Sequence, residues 1–501
     1  MIDAEKLTEW LSQESIDFTS SIVEYALLND TLRGPVFREI ERRLLAQVEA
    51  IATPGLPAQV TQDKKDLALG LIRGARRALE RKQISRKVLR RLLRSLLNNA
   101  ILGQDEGTKA AYQSFVRRHG VDAPPTTMVI SPTKSCNLRC IGCYASCAPG
   151  QGVPHLDWEV FDRIITEAKT EWGMRFFTIS GGEPFTYRSR GKDLLDAAAK
   201  HDDCFFQVYT NGTLFGEHTA KRLADVGNVV PAISVEGFET LTDQRRGPGT
   251  FRRVLDGMAN LCQAGVPFGI SLTATRYNTE EILSDEFLDF FFDVQQAIFG
   301  WIFQYMPIGR AYSLDLLVTP EQRAWMWRRT WQVVRERKVM LADFWNFATG
   351  SDGCISAGKP AGYLYIDWHG KVMPCVFVPY AATNIHAIYR DGGTLDTVYD
   401  QPFFKAIRDW QCEYFFGCDG RSRETNNWLM PCPLRDHHDV MRGLIDRYQP
   451  EPEDEMAAQA LIDSHYYEGM MAYNEETHRM LDPLWEETYL ESVHKRAGVC
   501  A

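Results

Sequence analysis

Residues 136–143 carry three cysteines, Cys136, Cys140 and Cys143, separated by three residues and then by two. Three thiolates on one short loop can hold three irons of a cubane [4Fe-4S] cluster and leave the fourth iron without a protein ligand. That open iron is a place for chemistry. A competing arrangement exists, because Cys147 would complete a four-thiolate set of the kind that closed structural zinc sites use. Spacing alone does not separate the two. About one βα unit downstream, an extended run, Arg175 to Ser180, delivers Gly181-Gly182-Glu183-Pro184, and this second motif bears on the choice.

Taken together and in this order, the cysteine loop and the GGEP turn resemble the radical S-adenosylmethionine (radical SAM) superfamily. The family places such a loop after its first barrel strand and such a turn after its second. The resemblance implies that Cys136, Cys140 and Cys143 ligate a [4Fe-4S] cluster and that S-adenosyl-L-methionine chelates the open iron. Reductive cleavage of the cofactor would then give a 5′-deoxyadenosyl radical. Gly181 and Gly182 have no side chains, so backbone can approach a cofactor closely, and the Glu183 carboxylate beside Pro184 suits an ammonium group. Family members commonly carry an aromatic just before the third cysteine; here Gly142 stands there and Tyr144 follows.

From Thr126 the sequence alternates strand and helix patterns, the texture of a parallel sheet with crossover helices. Strands are expected at Thr127–Ser131, Arg175–Ser180, Phe205–Tyr209, Val229–Val235, Phe268–Ala274 and Trp301–Met306. Helices are expected near Asp157–Glu171, Gly191–His201, Glu217–Val226, Phe251–Ala264 and Glu280–Val294. The alternation reads as α/β, and its six βα-type units match the partial (β/α)6 TIM-type barrel of the superfamily the chain resembles, in which ligand chemistry sits at the strand C-terminal ends. By resemblance Ser234 and Glu236 face the ribose and methionine end of the cofactor, and Asn211 its surroundings. As turn chemistry alone, Asn211 and Asn278 read equally well as caps. An arginine of the segment with Arg245 and Arg246 could meet a carboxylate of cofactor or substrate.

The barrel is flanked on both sides. Residues 1–122 read as an all-helical N-terminal domain, 123–310 as the barrel, 311–433 as a small cysteine-bearing extension and 434–501 as C-terminal helices. Pro320–Leu341 reads as a helical connection. Gly362 to Cys375 reads as a hairpin turning at His369-Gly370 and resembles the Gly-x4-Cys element of SPASM and twitch regions. The implied auxiliary [4Fe-4S] cluster would use Cys354, Cys375, Cys432 and either Cys418 or Cys412; buried unligated thiols are the plainer alternative.

Charge is unevenly distributed. Net charge is −10 over 501 residues, yet Lys64 to Arg94 holds a local +10. This basic stretch, residues 64–94, has helical periodicity with an apolar stripe. Three readings compete: a face docked on the acidic remainder, a surface meeting an anionic membrane, or a nucleic-acid contact. Nucleic acid is set aside because no aromatic interleaves the cations. No run of 18 apolar residues occurs and the N-terminus lacks signal-peptide character, so a cytoplasmic location is expected, peripheral on the inner membrane face if the basic helix meets lipid. The twelve cysteines are then ligands or buried thiols rather than a disulfide framework.

The expected function is an enzyme of the radical SAM type that abstracts hydrogen from an unactivated C–H bond, served by a reductant such as ferredoxin or flavodoxin. The basic helix and the aromatics around Phe290–Tyr305 suggest a membrane lipid or long-chain apolar substrate, with an architectural resemblance to radical SAM lipid-crosslinking enzymes. The alternative is a SPASM-type maturase of a ribosomal peptide. A non-enzymatic iron-sulfur electron carrier would leave the GGEP turn without a purpose.

Overall fold

The computed structural model describes residues 23–50, 56–96, 105–147, 149–150, 152–415 and 426–490. Its centre is a ten-stranded sheet. Six strands follow the order of the sequence: β1 (Thr127–Ile130), β2 (Phe176–Ile179), β3 (Phe205–Thr210), β4 (Val229–Val235), β5 (Gly269–Ala274) and β6 (Phe299–Gln304). Each pairs in parallel with the next. Short apolar runs such as Val-Val-Pro-Ala-Ile-Ser-Val of β4 suit strands covered on both faces, and β4 is buried along nearly its whole length. The crossover helices Trp158–Trp172, Leu194–Lys200, Glu217–Val226 and Thr250–Ala264 cover the outside. The partial barrel is as the sequence predicts.

The sheet continues beyond residue 310. The expected helical connection Pro320–Leu341 instead divides into a helix, Pro320–Gln332, a π turn, Val333–Arg337, and a seventh strand, β7 (Met340–Asp343), parallel to β6. Lys338 at φ 56 stops the helical path, and the apolar run after it covers the open edge of β6. The hairpin is present: β8 (Tyr363–Ile366) and β9 (Lys371–Met373) are antiparallel. Its placement was not legible in the sequence, because β8 lies parallel to β1 and lengthens the barrel sheet at its other edge. Two short strands, β10 (Tyr380–Ala381) and β11 (Thr383–Asn384), follow, and β11 closes the sheet on β9 while β10 pairs with β12 (Glu451–Pro452). The expected helix Glu280–Val294 is broken into Thr279–Ile282, Asp285–Leu288 and a π turn, with Ser284 capping the second piece through the Phe287 amide.

The N-terminal helices pack against this sheet. In the helix Ala58–Glu80, Gly70 lets the chain approach the backbone of Met340, where a Cβ would sit 3.1 Å from the amide nitrogen. The basic flank is paired with the body: Lys64 with Asp352, Arg81 with Asp293, Lys87 with Asp225 and Arg91 with Asp202, each at 2.7–2.8 Å. Arg86 and Arg90 share buried Glu24. Individually such exposed pairs stabilise little; collectively they turn the basic stretch inward, as the docked reading requires. Among the described residues no helix is long and apolar enough to cross a membrane.

On the far side, the C-terminal helix Ser464–Trp485 packs beside Pro320–Gln332. Between them lies a buried charge cluster in which Arg323 and Arg435 both meet Asp436, all without solvent exposure.

Candidate functional site

The loop that follows β1 runs from Pro132 to Cys147, and its three motif cysteines open onto one cavity of about 530 Å³ at the C-terminal mouth of the barrel. The GGEP turn after β2 holds this loop by backbone contact. The Gly182 amide donates to the Thr133 carbonyl at 2.9 Å and the Glu183 amide to the Ser135 carbonyl at 2.7 Å. A Cβ on Gly182 would overlap the Ser135 carbonyl, and Gly181 has φ +117, so both positions require glycine. The other side of the loop is pinned from the end of β6. The Arg310 guanidinium donates to the Cys140 carbonyl at 2.8 Å and also to that of Cys147, while its amide donates to the Cys143 carbonyl at 2.9 Å. Arg310→Ala removes the side-chain donors, each charged hydrogen bond being worth ~1.5–3 kcal/mol. We expect the variant to keep its far-UV spectrum but to lose iron from the loop on gel filtration; full iron retention would show that the loop holds its shape unaided.

The thiols are not equivalent. A hydrogen bond from Cys147, assisted by Arg310, lowers the Cys143 thiol to about 5, whereas burial raises Cys136 to about 12. Cys147 is buried and serves Cys143. Among the described residues no three Cys, His, Asp or Glu side chains converge closely enough to hold a single metal ion. The three motif thiols instead border a space of cofactor size, next to two glycines that leave it unobstructed. A donor set and a cradle of this kind fit a cluster with a chelating small molecule better than a zinc ion.

The predicted site residues divide into two groups. Cys136, Cys140, Cys143, Gly181, Gly182, Asn211 and Ser234 all line the cavity. Asn211 also ties the cysteine loop to β3, its amide donating to the Asn137 side chain at 2.8 Å. Glu183, Pro184 and Glu236 are not among the lining residues. The Glu183 carboxylate is turned back into the fold. It accepts from the Thr210 hydroxyl and the Asn211 amide, both at 2.8 Å, and from the Phe185 amide at 3.1 Å; burial nevertheless raises it to about 7. It locks β2 to β3 and does not offer itself to an ammonium group. Pro184 is buried at the start of a short 3-10 turn. Glu236 binds Arg245 at 2.6 Å and Arg246 beside it, and these two arginines line the cavity in its place. Two cations against one carboxylate leave a net positive wall.

Several lining residues escaped the sequence reading. Phe176 and Thr178 of β2, Gln207 and Tyr209 of β3, and Ser271 of β5 face the interior at the period of two that strands impose. The signal was a polar residue inside an otherwise apolar strand, as with Gln207 in Phe-Phe-Gln-Val-Tyr-Thr. The crowding at Gly142 is also tertiary: a Cβ there would lie 2.8 Å from the Tyr305 ring, so Tyr305 of the β6 end fills the space beside the third cysteine.

A second cavity, of about 210 Å³, is lined by Cys354, Cys375 and Cys432. Trp301, Phe344, Ile355, Tyr363 and Phe377 border both cavities and form the wall between them. Cys418 lies outside the described residues. Cys412 lies in the helix Pro402–Tyr414. His437 and His438 hydrogen-bond to the carbonyls of Met430 and Leu434, the work of ordinary buried histidines. Asn278 likewise acts structurally, donating to the Glu236 and Thr273 carbonyls.

Comparison with known proteins agrees with this geometry. Residues 130–287 match the family model described as the radical SAM superfamily. An AdoMet-dependent heme synthase of Methanosarcina barkeri is 25% identical over 327 residues, which are 58% of this chain and 88% of that relative. The sporulation killing factor maturation protein SkfB of Bacillus subtilis is 25% identical over 161 residues, 32% of this chain and 38% of that protein. Among solved structures, Streptococcus suis SuiB bound to S-adenosylmethionine superposes with a TM-score of 0.50 at 19% identity, covering 63% of this chain and 76% of SuiB. That likeness concerns the fold.

Proposed function

From the premise that the chain is an enzyme of the radical SAM superfamily, we propose that it removes a hydrogen atom from an apolar, carboxylate-bearing substrate that inserts one side group between the cysteine loop and the aromatic wall. The observation that carries this reading is one cavity bounded by the three motif thiols and Cys147, by Arg245 and Arg246, and by Trp301, Phe303, Phe344 and Phe377. When bound, a reduced [4Fe-4S] cluster and S-adenosylmethionine supply a radical able to take hydrogen from an unactivated C–H bond.

The chain's own residues then have these roles. Cys136, Cys140 and Cys143 hold the cluster; Gly181 and Gly182 leave room for the cofactor against the turn; Asn211 and Ser234 offer polar contacts beside it. Glu236 orients the two arginines, whose surplus positive charge receives a carboxylate. The aromatic wall keeps water away from the reacting C–H bond and favours an apolar group there. Cys354, Cys375 and Cys432 would hold an auxiliary cluster behind that wall.

A cavity of about 530 Å³ is within the range for one cofactor-sized ligand, roughly 300–1,000 Å³. With the cofactor in place, room is left for a substrate's side group and not for the whole of a large molecule. A tetrapyrrole presenting a carboxylate-bearing side chain suits both the space and the charge, and the heme synthase relative aligns over most of its own length. A peptide presenting one side chain is the second reading, with the match to a sporulation killing factor maturation protein in its favour. The lipid reading rested on residues 64–94 and on the aromatics around Phe290–Tyr305, and the ion pairs of the basic stretch with Asp202, Asp225, Asp293 and Asp352 remove the first of these supports.

The test is anaerobic incubation of the reconstituted enzyme with S-adenosylmethionine, dithionite and an iron porphyrin deuterated in its carboxylate side chains. Deuterium is expected in the 5′-deoxyadenosine released. Transfer from labelled peptides and none from the porphyrin would move the second reading ahead. Co-sedimentation with anionic vesicles together with transfer from their acyl chains would reinstate lipid.

A further inference from the structure

The register of β8 and β9 pairs Tyr365 with Met373 and Ile366 with Val372. Continued by two residues toward the open end of the hairpin, the same register sets Tyr363 opposite Cys375. The Tyr363 hydroxyl indeed lies 2.8 Å from the Cys375 sulfur, which also accepts from the Phe377 amide at 3.4 Å. Tyr363 and Cys375 are both buried, so no bulk water competes for this contact. The ring of Tyr363 belongs to the wall shared by the two cavities. Its hydroxyl thus sits at a candidate ligand sulfur of the smaller cavity, while the residue also borders the larger one.

We propose that Tyr363 is a positioning residue whose hydroxyl donates to the Cys375 sulfur and sets the reduction potential of the auxiliary site. The proposal rests on the reading of Cys354, Cys375 and Cys432 as ligands. A thiolate has no proton to give, so once Cys375 ligates, the hydroxyl is the donor. Hydrogen bonds to ligand sulfurs withdraw electron density and favour the reduced cluster, one of the established controls on iron-sulfur potentials. In a buried contact that withdrawal is not masked by solvent. Cys354 has a lesser partner, the Ser356 hydroxyl at 3.2 Å, while the Cys432 amide donates to Asp436 rather than to a sulfur. Tyr363 therefore makes the shorter of the two hydroxyl contacts to the set.

The experiment uses reconstituted full-length protein with Cys136, Cys140 and Cys143 changed to Ala, so that only the auxiliary cluster is titrated, by EPR against applied potential. Tyr363→Phe keeps the ring and removes the donor. We expect a midpoint shifted to more negative potential, with unchanged iron content. Tyr365→Phe is the control: that hydroxyl lies on the same strand without a cysteine partner and should leave the midpoint where it was. An unmoved midpoint in Tyr363→Phe overturns the inference. A background that binds no cluster at all, with Tyr363 intact, overturns the auxiliary-site reading itself and the inference with it, so the two failures are told apart.

Discussion

Changing Cys136, Cys140 and Cys143 together to Ala is expected to abolish 5′-deoxyadenosine formation and to remove about four irons per chain, the content of one cubane cluster. The effect should be all or none. The three sulfurs border a single cavity on a loop whose backbone is fixed by Gly182, Glu183 and Arg310, and Cys147, the one other thiol among the described residues that line that cavity, cannot by itself replace three ligands. Cys147→Ala supplies the contrast. Cys147 hydrogen-bonds within the loop and accompanies Cys143, so its loss should weaken cluster retention without ending cofactor cleavage. A zinc site closed by four thiolates predicts the opposite: all four cysteines equally necessary, zinc in the purified protein and no cleavage in any form. Cleavage by the triple variant would refute the assignment of the loop.

The largest expected loss of stability comes from Asp436→Asn. Asp436 is fully buried and accepts from Arg323 at 2.6 and 3.1 Å, from Arg435 at 3.0 Å and from the Cys432 amide at 3.0 Å. Burial disfavours its charge, and the attraction of Arg323 and Arg435 overrides that penalty, holding the carboxyl well below the usual carboxylate range. Asparagine leaves two guanidinium groups in the interior without their counter-charge. Breaking a buried pair in this way costs ~3–5 kcal/mol, to be read as a lower denaturant midpoint. The deficit should be constant through neutral pH. A carboxyl with a depressed folded value stabilises fully above its unfolded value and ceases to do so as pH falls through the folded one, so the two proteins should converge only in strong acid. Since the same carboxylate anchors the Cys432 amide, auxiliary iron should fall as well. An unchanged midpoint would mean that the cluster of charges contributes nothing net.

This charge cluster also links the two cavities. Arg435 donates to Gln304 at 2.9 Å, and Gln304 donates to Asp343 at 2.8 Å. Gln304 lines the larger cavity while Asp343 and Cys432 line the smaller. A polar side chain at the end of β6 is thereby fixed in part by Arg435, 131 positions later, a dependence that no local pattern reveals.

Sequence alone determined what depends on short-range order. The spacing of Cys136, Cys140 and Cys143, the glycines of the following turn and the alternating apolar runs of β1–β6 are local properties, and each carried its consequence into the fold. The β8–β9 hairpin was legible too, since a turn at His369-Gly370 needs only its neighbours. Tertiary structure decided the rest because it concerns which charge meets which. Glu183 and Glu236 stand at strand ends beside the mouth, where the family resemblance implies ligand contacts, but Thr210, Asn211, Arg245 and Arg246 reach them first. The basic stretch of residues 64–94 could have faced lipid, and only the arrangement of Asp202, Asp225, Asp293 and Asp352 around it turned it toward the body. Cys354, Cys375 and Cys432 lie far apart in the chain; β7 and β8, joining opposite edges of one sheet, bring them to a common cavity. Periodicity and spacing act over a few residues, whereas the partner of a buried charge or thiol is selected by the folded chain as a whole.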